Sequence, residues 1–192
     1  VFVLWQGVTY LYFYRRTRRW STSASALIQD KWEETGRRFT VHKLPQLVIC
    51  PVIDTPVLAG IIRHRLLLPH EKYDMNELEC IFRHELVHDR RGDLWCKLIL
   101  LLSNCVHWFK PVVYLLVWEM GKEIEIACDE EAIRGMDQES RAVYGSTIVN
   151  ALPVKREMCT AFTTNFGSGK EIMKLRLKSL FDKREKHRGI AV

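Results

Sequence analysis

Apolar and polar positions change rhythm several times along the chain, and each change marks a different element. Residues 1–14 (VFVLWQGVTYLYFY) carry no charge, and the run RRTRR follows at once. Residues 22–38 have helical spacing, opened by Ser or Thr and closed near Gly36. From Phe39 to Pro69, short runs (LVIC, PVL, II, LLLP) are punctuated by Pro45, Pro51, Pro56 and Gly60, which predicts two to four short strands. Asp74 with Glu77 makes a capping box, so a helix is expected to run to Arg91, where Gly92 stops it. Residues 93–107 predict a strongly apolar helix, and Pro111 opens another that reaches Arg134 and closes at Gly135. Residues 139–152 read as helix, 153–168 as loop and 169–186 as a basic amphipathic helix. The whole predicts an α+β fold, mostly helical with a small sheet, and without internal repeats.

A bilayer span needs about 20 apolar residues, so residues 1–14 are too short alone. They fit the last part of a spanning helix, with Trp5, Tyr10, Tyr12 and Tyr14 in the interfacial belt and the arginines on the cytoplasmic side. A signal peptide would carry its positive charge before the apolar run, not after it. The stretch 98–118 is apolar too, but His107, Lys110 and Pro111 fall in its middle and would be costly in hydrocarbon. Two helices joined at His107–Lys110 are expected there, buried in the domain or lying on the membrane surface. The chain starts at Val1 rather than Met and is expected to be a piece of a longer protein. The expected division is the end of a transmembrane helix at 1–14 and a basic juxtamembrane segment with a linker helix at 15–38. The main domain follows at 39–181, then a basic segment at 182–192 leading to a next span.

Composition narrows the function classes. With 192 residues, 47% hydrophobic and 27% charged, the chain holds one domain with a sizeable core and is neither disordered nor a polytopic bundle. The net charge of +6 sits in two clusters, Arg15, Arg16, Arg18 and Arg19 at one end and Lys183, Arg184, Lys186 and Arg188 at the other. The body between them is close to neutral, so direct nucleic-acid binding is not expected; anionic lipid explains the basic ends better. Six scattered cysteines without a C-x-x-C pair read as reduced, mostly buried thiols.

The candidate chemistry begins at His84-Glu85-Leu86-Val87-His88, an H-E-x-x-H inside a predicted helix. At i, i+4 the imidazoles lie one turn apart on one face and can reach a single zinc ion. Glu85, beside that face, is the candidate general base toward a zinc-activated water. Two histidines leave a catalytic zinc one protein ligand short. Glu125, with Asp129 at i+4 on the helix begun by Pro111, is the candidate third ligand; Glu119 and Glu123 are its rivals. Asp129 would accept a hydrogen bond from the outward nitrogen of a ligating histidine, His84 in the first instance. Cys128 is expected to point away from Glu125's face and to pack.

Together with Pro56-Val57-Leu58-Ala59-Gly60, Leu66-Leu67-Leu68-Pro69, Arg90, Arg91, Asp93, His107-Trp108-Phe109 and the Lys-Leu-Arg-Leu-Lys of residues 174–178, these motifs resemble the BlaR/MecR-type membrane zinc peptidases, which are gluzincins. The resemblance spans roughly residues 39–181. It implies one catalytic zinc and a cytoplasmic peptidase domain set between spans of a multi-pass cell-membrane sensor. An extracytoplasmic signal, often a β-lactam antibiotic, would switch on cleavage of a transcriptional repressor, and self-cleavage is typical of such sensors. Lys110 stands where asparagine is expected, and Arg63-His64 where Lys-Pro is common.

Weaker candidates complete the list. Leu58, Ala59 and Gly60 could form an edge strand that holds a peptide substrate by β-addition, or an ordinary strand. His107 and Tyr144 are candidates for stabilising a transition state, or interface residues. Two other readings stay open. One is a housekeeping membrane zinc protease of the prenyl-protein or heat-shock type, and the other a non-catalytic signalling module with structural zinc.

Overall fold

The structure, a computed structural model, describes residues 2–39, 41, 43–150 and 170–181. In chain order the elements are α1 (Phe2–Trp20), β1 (Thr22–Ser23), α2 (Ala26–Arg38), β2 (Gln46–Ile49), β3 (Val57–Ala59) and β4 (Arg65–Leu68). Five helices follow: α3 (Met75–Arg91), α4 (Asp93–Val106), α5 (Pro111–Ala132), α6 (Gln138–Asn150) and α7 (Lys170–Phe181).

The sheet has the order β1-β2-β4-β3, with β2 and β4 parallel and the outer pairs antiparallel. Its apolar runs are continuous because both faces are covered. Leu47, Ile49, Leu66 and Leu68 face a core completed by Trp32 of α2 and Leu78, Ile81, Phe82 and Leu86 of α3. Val48, Val57, Ala59 and Leu67 face the other side, where Phe13 of α1 packs. Trp32 anchors the first core, its ring edge-on to Phe82 and its Nε1–H donating to the Pro45 carbonyl at 2.9 Å.

α3 is the central element. Its start carries the expected reciprocal capping box between Asp74 and Glu77, and its end the left-handed Gly92 at φ 70°. One side of α3 packs on the sheet; Cys80 and Val87 on another side pack on Cys128, Ala132, Tyr144, Ile148 and Met173. A helix buried on so many sides reads as less amphipathic than it is constrained.

Several sequence expectations shift. The helix expected over 22–38 begins only at Ala26, because Thr22 and Ser23 extend and pair with Ile49 and Val48. Its end falls at Arg38 as expected; Gly36 lies in its last turn, where a Cβ would come 2.4 Å from the Leu44 side chain. The helix expected to reach Arg134 ends at Ala132, and Gly135 at φ 78° completes the turn after it. α1 continues without a break through the arginines to Trp20. No helix among the described residues is long and apolar enough to cross a membrane. The chain between α4 and α5 does turn at His107–Lys110. The loop expected at 153–168 and the basic segment 182–192 lie outside the described residues.

Candidate metal centre

α3 presents His84, Glu85 and His88 toward α5, α6 and the edge strand β3. The two Nε2 atoms are 3.1 Å apart, with the rings nearly perpendicular. Glu125 of α5 closes the triangle, its Oε2 3.8 Å from His84 Nε2 and its Oε1 3.7 Å from His88 Nε2. Tetrahedral ligands about 2.0–2.1 Å from one ion lie about 3.3–3.5 Å from one another, so this triangle has the size of three zinc ligands. Glu125 is buried, and its Oε1 has no hydrogen-bond partner. A buried carboxylate oxygen without a hydrogen bond, 3.7 Å from an imidazole nitrogen, fits a cation site.

The outward nitrogens are held from behind. His88 Nδ1 lies 2.6 Å from Asp93 Oδ2, and both side chains are almost wholly buried. His84 Nδ1 lies 2.8 Å from the Tyr144 hydroxyl and 3.2 Å from Asp129 Oδ1, and Tyr144 itself donates to Asp129 at 2.9 Å. With each Nδ1–H engaged by an acceptor, the neutral tautomers aim both Nε2 lone pairs into the triangle. Two lone pairs at 3.1 Å repel unless a proton or a metal stands between them.

The electrostatics agree with that cation-seeking character. Burial opposes charge on His84, yet Cys128 and Asp129 outweigh it and raise its pKa to about 10. His88 is driven well above its usual value by Cys128, Glu125 and Asp93, again against burial. Burial opposes ionisation of Glu125 too, but His88, Lys97 and Arg176 hold it well below the usual carboxylate range. Lys97 Nζ stands 3.6 Å from Glu125 Oε1, and Arg176 Nη1 3.4 Å from Oε2.

Glu85 is buried beside His84, and its Oε2 accepts the backbone N–H of Leu58 at 3.0 Å. β3 is indeed an edge strand, but the Leu58 amide on its outward side is engaged by Glu85 rather than free for a peptide. Gly60 follows it at φ 99°, where a Cβ would meet the Arg63 carbonyl oxygen at 2.3 Å.

Two sequence candidates are placed away from the reacting side. His107 caps the exposed end of α4, about 20 Å along that helix from Asp93 at 1.5 Å per residue. Tyr144 is fully buried with its hydroxyl behind His84, so it supports an imidazole instead of facing a substrate. Cys128 does not point away. At i+3 from Glu125 it shares that helix face, and its Sγ lies 3.6 Å from His84 Nδ1 and donates to the His84 carbonyl at 3.4 Å. His84, His88 and Cys128 each bring one ligand atom within 4.8 Å of the others, so the thiol is a rival third ligand. The thiol faces His84 Nδ1, whereas the Glu125 oxygens face both Nε2 atoms, which favours Glu125. The rivals Glu119 and Glu123 lie farther up α5; Glu119 pairs with Lys122 at 2.7 Å.

Three further residues support the site, and no motif in the sequence marks their roles. Asp93 and Lys97 come from the first turns of α4. Arg176 of α7 makes a two-pronged contact to Asp129, Nε to Oδ2 at 2.6 Å and Nη2 to Oδ1 at 2.8 Å. The Lys-Leu-Arg-Leu-Lys motif of residues 174–178 contains it but does not name its partner.

A model of the BlaR1 peptidase M56 family matches residues 1–180. The regulatory protein BlaR1 of Bacillus licheniformis is 30% identical over 139 residues, covering 71% of this chain and 23% of that relative. The methicillin resistance mecR1 protein of Staphylococcus aureus is 26% identical over 108 residues, covering 55% of this chain and 18% of that relative. The protein of the same name from Staphylococcus epidermidis matches to the same extent. The chain thus spans less than a quarter of the length of these relatives.

Proposed function

The chain belongs to the BlaR1 peptidase M56 family, a family of metallopeptidases, and on that premise we propose that it is the zinc endopeptidase domain of a membrane sensor. Its substrate would be a transcriptional repressor on the cytoplasmic side, with the sensor itself as a second substrate. The observation that carries this reading is the triangle of His84 Nε2, His88 Nε2 and the Glu125 carboxylate, with Glu85 beside it and outside it. Relatives named for regulation and for methicillin resistance support the sensor role. The uncharged residues 5–14 followed by Arg15–Arg19 support a membrane-proximal N-terminal helix whose basic end faces the cytoplasm.

His84, His88 and Glu125 would hold the zinc, with Asp129 and Asp93 fixing the two imidazoles from behind. When bound, zinc lowers the pKa of water toward neutrality and polarises a peptide carbonyl. Glu85 takes the proton of the attacking water on its carboxylate and returns it to the leaving amine nitrogen as the C–O bond forms and the C–N bond breaks. The Leu58 amide orients Glu85 Oε2.

Cys128 gives a second reading some support, because a thiol completing the ligand set would make a closed structural site. That module would have no use for Glu85. The prenyl-protein or heat-shock alternative sets the motif among membrane spans, which the break at His107–Lys110 disfavours. The test is zinc content and cleavage of itself and of candidate repressors by the full-length membrane protein, as wild type and as Glu85→Gln. Zinc in both with cleavage only in wild type is expected. Zinc in both with equal behaviour would hand the case to the structural module, and no zinc in either would refute both.

A further inference from the structure

The α4–α5 hairpin divides into two halves. Near the metal centre its inward side chains are buried, ending at Leu100 on α4 and resuming at Gly121 on α5. Between Leu101 and Met120 no residue is buried, although the segment reads LLSNCVHWFKPVVYLLVWEM. From Val106 to Val112 every side chain is exposed, Trp108 and Phe109 at 63% and 62% and Val112 at 73%. Exposed apolar surface this continuous marks an interaction site.

Three observations identify what it fits. The apolar surface wraps around the tip instead of lying on one side, so a flat partner would cover only part of it while a fluid surrounds it. No acidic residue occurs between Asp93 and Glu119, and the charge at the turn is Lys110, which complements an anionic surface. The turn satisfies part of its backbone internally: His107 N–H donates to Ser103, Lys110 N–H to His107 and Val113 N–H to Lys110, while Pro111 has no N–H to satisfy. The Tyr114 hydroxyl donates to the Trp108 carbonyl at 2.7 Å and holds the turn in shape. Trp108 and Tyr114 each combine an apolar ring with a polar tip, as side chains at a lipid–water boundary do.

We propose that the distal α4–α5 hairpin, centred on Trp108, Phe109 and Lys110, is an interfacial anchor that inserts its tip into an anionic lipid leaflet without crossing it. An interfacial element enters about 5–10 Å. Since α4 runs about 20 Å from the tip to Asp93, the metal centre would be held about 10–15 Å above the lipid. The anchor goes beyond the peptidase reading and does not depend on it, because a catalytic or a purely structural centre would be held equally.

The measurement is amide hydrogen exchange of the full chain, free and with vesicles of phosphatidylcholine alone or with about one-third phosphatidylglycerol. A local readout is needed because α1 exposes its own apolar residues, Trp5, Val8 and Leu11 among them. On the anionic vesicles, exchange at residues 106–116 is expected to slow at least about tenfold, as burial of two large apolar side chains requires. The double variant Trp108→Glu, Phe109→Glu should lose that slowing with its circular dichroism unchanged. Tip amides that exchange equally fast in bound and free protein would overturn the proposal. So would slowing that appears at high protein concentration without vesicles, which would make the hairpin a contact between copies. Equal slowing on phosphatidylcholine alone would overturn the assignment to an anionic leaflet. None of these readouts involves cleavage, so failure here and failure of the peptidase reading are separable.

Discussion

Asp93→Ala removes the partner of the His88 nitrogen that faces away from the candidate metal. The contact is short, 2.6 Å, and the two side chains are 0% and 3% exposed, so no water is at hand to replace the lost oxygen. Without an acceptor at Nδ1, His88 can adopt the tautomer that puts its hydrogen on Nε2, where a metal needs a lone pair. Removing such a partner lowers metal affinity about 10–100-fold, or about 1.4–2.7 kcal/mol. The burial and short distance place this case toward the upper end. Arg91, 3.4 Å from the other Asp93 oxygen, is 25% exposed and can turn to solvent, so its release adds little. Asp93 also stands in the first turn of α4, where a carboxylate stabilises the helix by about 0.3–1 kcal/mol. Urea unfolding of the metal-free variant measures that part separately. Zinc affinity is read at pH 7 by competition with a chromophoric chelator, for wild type, Asp93→Ala and Asp93→Asn. Asparagine keeps an acceptor and should lose less than alanine does. Unchanged zinc affinity in folded Asp93→Ala would refute the role given to this contact.

The remaining predictions concern the supports of the site and the docking of α2. Gly60→Ala puts a Cβ at φ 99° and 2.3 Å from the Arg63 carbonyl oxygen, and should cost about 1–3 kcal/mol by urea unfolding. Wild-type stability would show that the turn after β3 relaxes freely. Arg176→Met leaves the fully buried Asp129 without its two-pronged partner and should destabilise by about 3–5 kcal/mol. A loss below about 1 kcal/mol would mean that Tyr144 and His84 suffice. Glu79 joins α3 to Lys31 and Arg38 of α2, and the Lys31 ammonium chiefly holds its carboxyl below the usual range. Because its folded pKa is depressed, its contribution is present above the unfolded value and is lost as pH falls through the folded one. Glu79→Gln should therefore cost about 0.5 kcal/mol at pH 7, where solvent screens the pair, and less in strong acid. An equal cost at pH 7 and pH 3 would contradict the assignment.

The parts of the site legible in the sequence are those that lie within one helical turn of each other. His84, Glu85 and His88 need only the 3.6-residue period to share a region, and Glu125 with Asp129 needs only the same period on α5. Asp93 follows His88 closely, yet its approach depends on where Gly92 sends the next helix, and a glycine stop signal carries no direction. Arg176 reaches Asp129 from α7, a placement decided by tertiary packing alone. Cys128 departs from expectation for a different reason: the helix face defined by Glu125 and Asp129 at i+4 also contains the i+3 position. Likewise Thr22 and Ser23 have the look of a helix start, but an open edge beside Val48 and Ile49 recruits them as a strand.

Charge explains why so many supports are needed. Glu85, Asp93, Glu125 and Asp129 are four carboxylates buried around two imidazoles, each no more than 6% exposed. Lys97, at 1% exposure, stands 3.6 Å from Glu125, Arg176 reaches both Glu125 and Asp129, and Arg91 lies 3.4 Å from Asp93. Ionised carboxylates in such a setting need compensation close by. The pKa of His84, raised to about 10, and that of His88, raised well above its usual value, fit an imidazole pair that holds protons beside these carboxylates when no metal is bound. A divalent ion held by His84, His88 and Glu125 would take both Nε2 lone pairs, so protons held there would leave as it binds. Zinc uptake at pH 7 should therefore release protons, a quantity that calorimetry in two buffers of different ionisation enthalpy reads directly. Uptake without proton release would mean that the imidazoles are already neutral and that the buried negative charge is balanced elsewhere.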